Sequence, residues 1–209
     1  MELHQSNAQQ HTSRRGTEAI VPIPKSSAST ADFEIYTDGS GHSDKYGASA
    51  AVVFSLRHKV YTRRFAAFYG ISVNRAELEG LLLGLKAIMD EMDWNTPESR
   101  ARLKAYPPIV NWYGDRENLI KSVALDVRGT PLYSRRTDPD LWAQFAYYEQ
   151  LFKIIPLKVK RNTLPAQAAC DEVCGELRTL MQEFVAGASV ELSATMKSYA
   201  ENAFANKVI

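Results

Sequence analysis

Soft metal ligands and disulfide partners are scarce in this chain. Its 209 residues include two cysteines and four histidines, and no histidine follows His58. Cys170 and Cys174 stand one helical turn apart, a spacing more typical of packed thiols than of a disulfide. The histidines lie far from them in the sequence, so the pattern excludes a zinc site and indicates a reduced, intracellular protein.

Long apolar runs and an excess of one charge are missing as well. No stretch is long enough to span a bilayer, and the N-terminus lacks the apolar region of a signal peptide. We therefore expect an intracellular, cytoplasmic location and no membrane partner. The formal net charge is +1, so any surface that binds nucleic acid must be a local patch.

Composition divides the chain into three regions. Residues 1–31 are rich in Gln, Ser, Thr and His and show no sustained apolar period, which predicts a disordered tail. Residues 32–186 carry the strand and helix patterns, and the 45% hydrophobic content of the chain predicts a packed core there. Residues 187–209 predict a helical extension. The sequence does not identify a protein partner for either terminal region.

Hydrophobic patterns predict the element order β-β-β-α-β-α-α-β-α. The first three strands, 33–40, 47–56 and 59–69, are joined by short links and predict an antiparallel meander. A right-handed crossover through a helix at 73–92 would place the fourth strand, 107–112, parallel to the first. The fold class is therefore α/β, a mixed five-stranded sheet of three antiparallel and then two parallel strands, flanked by helices. The remaining elements are a helix opened by Asp115, helices at 140–152, 168–184 and 188–206, and a fifth strand at 154–160.

Four acidic residues follow strands or lie in helices of this predicted domain. Asp38 ends the first strand, Asp115 follows the fourth, and Glu77 and Asp171 lie in helices. Each alone has an ordinary explanation, as a turn residue, a helix cap or an exposed helical acid. The crossover would nevertheless bring Asp38 and Asp115 to the same end of adjacent strands, and Glu77 and Asp171 would approach from helices that cover the sheet.

Small residues indicate where these helices approach the sheet. Gly80 and Gly84 lie one turn apart in the first long helix, on the side that carries Glu77. Since glycine costs about 1 kcal/mol in a helix interior, the pair predicts close packing of that side against another backbone. Cys174 and Gly175 predict a second such side in the last long helix of the domain.

Four carboxylates that converge in a partly buried place would repel one another and raise their own pKa values. A divalent cation would relieve that repulsion. Oxygen ligands without His or Cys suit Mg²⁺ or Mn²⁺ rather than zinc. Two such ions about 4 Å apart would activate a water and stabilise the leaving oxygen in the cleavage of a phosphodiester.

Together these runs resemble type 1 ribonuclease H. The matching motifs are YTDGSG at Asp38, NRAEL at Glu77, GDRENLI at Asp115 and ACDE at Asp171, and the likeness covers about residues 32–181. It implies a ribonuclease H-like fold and an endonuclease that hydrolyses the RNA strand of RNA–DNA hybrids with two Mg²⁺ ions, for which Mn²⁺ would substitute. It also implies that Asp38 bridges the ions, that Glu77 and Asp115 are its co-ligands, and that Asp171 binds the second ion.

The chain departs from the family at several positions. The family usually carries a histidine in the loop before its last acid, whereas the loop at 162–167 has none and Asn162 is the nearest positional match. The family's Asn and Gln that read the RNA 2′-hydroxyl are replaced by Val73 and Glu117. His42 is either a catalytic substitute or an ordinary loop residue. The sequence therefore leaves open a nuclease with another nucleic-acid substrate, or a weakened protein that only binds nucleic acid or serves as a scaffold.

Polar and basic residues near the four acids predict a surface for nucleic acid. The loop at 126–138 combines arginines with an aromatic residue, and the fifth strand ends in basic residues. Such combinations are typical of contacts with a nucleic-acid backbone, and a solvated loop is the alternative. The candidates are Gly39, Ser40, Asn74, Arg135, Arg136, Lys160, Arg161 and Asn162.

Overall fold

A mixed five-stranded sheet forms the centre of the structure, a computed structural model that describes residues 31–42, 46–69, 71–161, 163–187, 193–194 and 196–197. The predicted tail at 1–31 lies outside the described residues apart from Ala31, and so does most of the predicted extension at 187–209. The division into a tail, a domain and an extension therefore stays a prediction.

The elements follow the predicted order with one addition, a short helix after the first long one. The strands are β1 (Phe33–His42), β2 (Tyr46–Ser55), β3 (Val60–Tyr69), β4 (Ile109–Gly114) and β5 (Lys153–Lys158). The helices are α1 (Val73–Glu91), α2 (Pro97–Ala105), α3 (Glu117–Val123), α4 (Pro139–Glu149) and α5 (Pro165–Val185). Over the described ranges, none of the helices has the length and apolar character needed to cross a membrane.

The added helix, α2, has no apolar stripe that would reveal it in the sequence. Its nine residues bury only Leu103. Its start is nevertheless encoded locally, because the Thr96 side chain accepts a hydrogen bond from the Ser99 N–H and Pro97 occupies the first helical turn. Capping thus predicts a helix here that hydrophobic periodicity does not.

The sheet order is β3-β2-β1-β4-β5, which confirms the predicted fold class. β1 and β3 are both antiparallel to β2, whereas β4 is parallel to both β1 and β5. Tyr36 pairs with Tyr113 at the end of the β1–β4 ladder. Asp38 and Asp115 each lie two residues further along, so the parallel register itself sets them side by side.

A separate hydrophobic cluster covers each face of the sheet. On one face, Phe33 and Ile35 of β1 pack with apolar residues of α1, α3 and α4, among them Leu85. On the other face, Tyr36 packs with α5 residues that include Val173. Successive side chains of β1 thus enter opposite clusters, as expected for a strand that is buried on both sides.

The first helix lies directly on β1, as its glycines predict. A Cβ at Gly84 would lie 2.5 Å from Ile35 Cγ2, and a Cβ at Gly80 would lie 3.3 Å from the Asp38 carbonyl oxygen. Larger residues at these positions would push the helix away from the sheet. The close contact therefore determines how near the Glu77 backbone comes to the end of β1.

The last helix approaches β1 through cysteines rather than through a glycine. The Cys174 thiol donates to the Asp38 carbonyl oxygen at 3.3 Å, and the Cys170 thiol donates to the Tyr36 carbonyl oxygen at 3.4 Å. A Cβ at Gly175 would have nothing within 4 Å. The prediction that Gly175 marks a close approach is wrong, because one residue step turns it about 100° away from the buried cysteine side.

The C-terminal region is described in part, near α5. Ala194, Met196 and Lys197 are helical. Met196 is fully buried in the cluster on the α5 face, and the Ser193 hydroxyl donates to Glu176 Oε2 at 2.5 Å. This part of the predicted extension therefore packs on the sheet domain.

We predict opposite effects of the same substitution at two helical glycines. Alanine is about 1 kcal/mol better than glycine in a helix interior, so Gly175→Ala should raise the free energy of unfolding by up to that amount. Gly84→Ala drives its methyl group into the buried Ile35 side chain and should lower the free energy of unfolding by about 1–3 kcal/mol. Urea unfolding measures both effects. If the two variants were equally stable, α1 would not pack on β1 as closely as described.

Candidate metal centre

The parallel pairing of β1 with β4 brings two carboxylates together, as predicted, although Asp38 does not end its strand, because β1 continues to His42. Asp38 lies in β1 and is 2% exposed, and Asp115 directly follows β4 and is half-buried. Asp115 is not the cap of α3, since Arg116 occupies the N-cap position and makes no side-chain capping bond. The ordinary explanation of Asp115 as a helix cap therefore does not account for its position.

Glu77 reaches the same place from α1. Gly39 lies beneath the helix, where a Cβ would overlap the backbone of Ala76 and Glu77. The Glu77 side chain is 4% exposed and accepts a hydrogen bond from the Gly39 N–H. One carboxylate oxygen from each of Asp38, Glu77 and Asp115 lies within 4.8 Å of the other two.

Burial and mutual repulsion disfavour the charged form of this cluster. Burial first, and then the charges of Asp171 and Asp115, raise the pKa of Asp38 from 3.8 to about 7. Burial, followed by the charges of Asp38 and Asp115, also raises the pKa of Glu77 well above its ordinary value. Asp38 Oδ2 is buried and has no hydrogen-bond partner among the described residues. A cation at this oxygen would satisfy it.

Two arginines supply positive charge beside the acids. Arg116 Nε lies 3.4 Å from Glu77 Oε1, and its Nη1 donates to Asn74 Oδ1 at 3.1 Å. Arg161, in the loop before α5, donates to Asp171 and forms an ion pair with it. The role of Arg116 was not predicted, although its place one residue after the third acid of the GDRENLI run was a signal.

Asp171 lies beside the cluster rather than inside it. Its charge is the second cause, after burial, of the raised pKa of Asp38, so the two side chains are neighbours. The mutually close oxygens nevertheless belong to Asp38, Glu77 and Asp115. The structure thus brings three of the four predicted acids together and holds the fourth nearby, paired with Arg161.

The donor set of the cluster suits a hard divalent cation. All three groups are carboxylates, which are preferred ligands of Mg²⁺ and Mn²⁺. The neighbouring thiol of Cys174 is not a competing ligand, because burial raises its pKa well above the ordinary value and keeps it protonated. The unpaired Asp38 oxygen offers a ligand position within this set.

Two predicted nucleic-acid ligands are engaged with the protein itself. Ser40 Oγ accepts a hydrogen bond from Arg178 Nη1 of α5 at 2.9 Å, a contact that the sequence does not predict. Arg135 donates to both carboxylate oxygens of Glu149 at 2.8 and 2.7 Å, and its guanidinium lies 4.8 Å from the ring centre of Trp142. These contacts favour a structural role for Arg135, in joining the 126–138 loop to α4, over a contact with phosphate.

The other predicted nucleic-acid ligands differ in exposure. Gly39 is covered by α1. Asn74 is exposed although it is bonded to Arg116, and Arg136 and Lys160 are exposed. Asn162 lies outside the described residues.

The residue at the family's second hydroxyl-reading position has other partners. Glu117 is exposed and lies 2.7 Å from Lys121 Nζ and 2.6 Å from Lys158 Nζ. Hydrogen bonds from these lysines lower the pKa of Glu117 to about 2, so it remains charged. His42 is exposed at the end of β1, and its ring stacks on that of Tyr46 with the centres 6.5 Å apart.

Comparison with known proteins rests on structure, since no protein-family model and no curated protein sequence matches the chain. LC11-RNase H1 in complex with an RNA/DNA hybrid has a TM-score of 0.55 at 16% identity, over 72% of this chain and 99% of that chain. LC11-RNase H1 isolated from compost by a metagenomic approach has a TM-score of 0.53 at 18% identity, over 72% and 98%. The fold is ribonuclease H-like. RNase H1 from the halophilic archaeon Halobacterium salinarum also matches, with a TM-score of 0.42 at 19% identity over 75% and 98%.

We predict that the Asp38 carboxylate destabilises the metal-free protein at neutral and alkaline pH. Because its pKa is raised on folding, the folded protein binds this proton more tightly than the unfolded chain does, and stability falls as the pH rises from about 4 to about 7. Asp38→Asn in EDTA should therefore raise the free energy of unfolding at pH 8 by on the order of 2 kcal/mol, with a gain that shrinks towards pH 4.

Chemical unfolding from pH 4 to pH 8 measures this difference. Glu172→Gln removes an exposed carboxylate of α5 and is the matched control, for which we expect a gain of less than about 0.5 kcal/mol at every pH. If Asp38→Asn were no more stable than the wild type at pH 8, the buried and repulsive environment of Asp38 would be incorrect.

Proposed function

We propose that this protein is a metal-dependent endonuclease that hydrolyses the RNA strand of RNA–DNA hybrids. The observation that carries the proposal is the group of Asp38, Glu77 and Asp115, with an oxygen of each within 4.8 Å of the others. Clustered carboxylates of which two are buried destabilise the free protein, so they indicate a functional site rather than a structural one. The ribonuclease H-like fold supports the proposal, because the similar LC11 structure is a complex with an RNA/DNA hybrid.

The acids would hold two Mg²⁺ ions, or Mn²⁺ in their place. Asp38 would bridge the ions, Glu77 and Asp115 would be its co-ligands, and Asp171 would bind the second ion on giving up its pair with Arg161. When bound, the ions would activate a water and stabilise charge on the leaving oxygen of the phosphodiester. The buried and unpaired Oδ2 of Asp38 supports this assignment.

Residues around the acids would position the nucleic acid. Arg136 and Lys160 are exposed cations that suit backbone phosphates, and Arg161 would become available to a phosphate once it leaves Asp171. Ser40 is half-buried and small, so a sugar–phosphate backbone would be able to lie close to it, whereas α1 covers Gly39, which would shape the strand without touching the nucleic acid. Asn74 and, from the sequence alone, Asn162 complete the proposed contact set.

A second candidate is a nuclease of the same fold that acts on a different nucleic acid. Distinguishing RNA from DNA by its 2′-hydroxyl requires a side chain that hydrogen-bonds to it. Val73 has no such group, and Glu117 is held by Lys121 and Lys158. This arrangement favours weaker discrimination among a hybrid, duplex RNA and duplex DNA. The missing loop histidine favours a third candidate, a weakened protein that binds nucleic acid or acts as a scaffold.

Cleavage assays on labelled RNA–DNA hybrid, duplex RNA and duplex DNA, each with Mg²⁺ and with Mn²⁺, test the proposal. We predict cleavage of the RNA strand of the hybrid and loss of cleavage when EDTA removes the metal. Asp115→Asn keeps the shape of the side chain but removes a charged ligand, so it should lower the cleavage rate at least about 100-fold. Binding of the hybrid, measured by fluorescence anisotropy, should survive.

Asp93→Asn is the matched control for this experiment. Asp93 is exposed just after the end of α1, at the opposite end of the helix from Glu77, and its φ of 50° is a conformation that asparagine tolerates. It should leave cleavage unchanged. Cleavage that resisted Asp115→Asn would rule out the proposed site, equal cutting of duplex RNA would favour the second candidate, and binding without cleavage would favour the third.

Divalent cations should also stabilise the protein when no nucleic acid is present. A ligand at 100 times its Kd adds about 2.7 kcal/mol to the stability of the folded state, so Mg²⁺ or Mn²⁺ should raise the Tm of the wild type at pH 8. Asp38→Asn removes the bridging ligand and should lose most of this rise. Thermal scans at several metal concentrations measure it, and an equal rise in both proteins would mean that the cation binds elsewhere.

A further inference from the structure

A cleft of about 1040 Å³ lies at the end of the sheet opposite the carboxylates. It is lined by Phe33, the first residue of β1, by Pro108 just before β4, and by Leu103 of α2. Asp38 lies five residues beyond Phe33 in β1, and Asp115 follows the other end of β4. The cleft is therefore separate from the proposed metal centre, and any role for it is independent of the proposed nuclease activity.

The walls of the cleft suit an apolar and extended occupant. Trp94 and Met92 are only partly buried, and Tyr106 is 81% exposed although it lines the cleft. The charges at the cleft have both signs, since Arg57 is paired with Asp32 at 3.9 Å. A polyanion such as nucleic acid would gain little binding energy from charges of both signs. Aliphatic and proline side chains, in contrast, would cover the exposed aromatic rings.

The chain enters the domain at this cleft. The Asp32 N–H donates to the Ile109 carbonyl at 2.8 Å, and Asp32 Oδ2 accepts from the Ile109 N–H at 2.9 Å. Ala31 is buried, and Asp32 lines the cleft. The thirty residues that precede Ala31 are therefore attached at the edge of the cleft, and whichever of them can bind there does so at a high effective concentration.

We propose that the segment Ile20–Pro24 (IVPIP) of the same chain occupies this cleft. Together with Ala19 it forms the longest apolar run among residues 1–30, which are otherwise mainly polar. Six residues separate Pro24 from Ala31 and can span about 20 Å when extended, enough to return to a cleft that begins at Asp32. Prolines at 22 and 24 restrict Val21 and Ile23 to extended conformations, which reduces the entropy lost on docking.

The docked segment would cover Tyr106 and Trp94 and would hold α2 against the sheet. α2 has only one buried residue of its own, Leu103, so it depends on neighbours for stability. The segment would supply such a neighbour. The polar remainder of residues 1–30 lacks the apolar surface for this contact, which makes the two parts of the N-terminal region distinguishable by substitution.

Hydrogen exchange of the full chain tests the proposal. Ile20→Asp/Ile23→Asp places charges in the docking segment, whereas Gln9→Asp/Gln10→Asp adds the same charge to the polar part and is the matched control. The first variant should exchange the amides of residues 98–106 about tenfold faster than the wild type does, and the control should exchange them at the wild-type rate. A synthetic peptide of residues 18–27, added to the first variant, should restore the protection.

Each other outcome overturns the proposal. Equal exchange in all three proteins would mean that the segment does not cover the cleft. Loss of protection in the control as well would point to a general effect of charge at the N-terminal region. Protection that grows with protein concentration, together with a dimer in gel filtration, would identify a second copy of the chain as the occupant.

Discussion

The packing of α1 directly on β1 is the contact on which the rest of the site depends. Gly80 and Gly84 let the helix approach the strand, and Gly39 lets the strand pass beneath the first turns of the helix. This contact fixes the distance between Glu77 and Asp38, which come from different elements. Helix α1 covers one face of β1 and α5 covers the other, and together they exclude water from Asp38. The burial of Asp38 and its distance from Glu77 thus both depend on helices that pack against β1.

The same packing brings buried carboxylates so close together that their charged forms repel one another. Three carboxylates share a volume in which two of them are buried, and the protein offers only partial compensation. Arg116 lies beside Glu77 and Arg161 pairs with Asp171, but Asp38 Oδ2 has no donor within the described part of the chain. The arginines reduce the repulsion at the edge of the cluster and leave its centre unsatisfied. A divalent cation is the compensation that the remaining oxygens fit.

Much of the arrangement could be predicted from the sequence because it follows from strand order. A meander followed by a right-handed crossover makes β4 parallel to β1, and that alone aligns Asp38 with Asp115. The helical spacing of Glu77 with Gly80 and Gly84 adds the third acid, since residues three and seven apart share a helix side. These are properties of backbone geometry, so the pattern of residue types along the sequence is enough to predict them.

The features that escaped prediction depend on side chains or on local capping instead. The pairing of Arg161 with Asp171 depends on the path of the loop before α5. The contacts of Arg135 with Glu149 and Trp142 depend on how the 126–138 loop folds on α4. Loop paths have no periodic signature. The helix α2 was missed because it has no apolar stripe, and only its cap reveals it. Strand β1 connects the cleft with the acids. Five residue steps of about 3.3 Å separate Phe33 at the cleft from Asp38 at the acids. The cleft charges of Arg57 and Asp32 are paired and accessible to water, so solvent and salt screen them over that separation. Charges at the cleft therefore have little direct effect on the acids, and the two ends of the sheet can serve different purposes while sharing one strand.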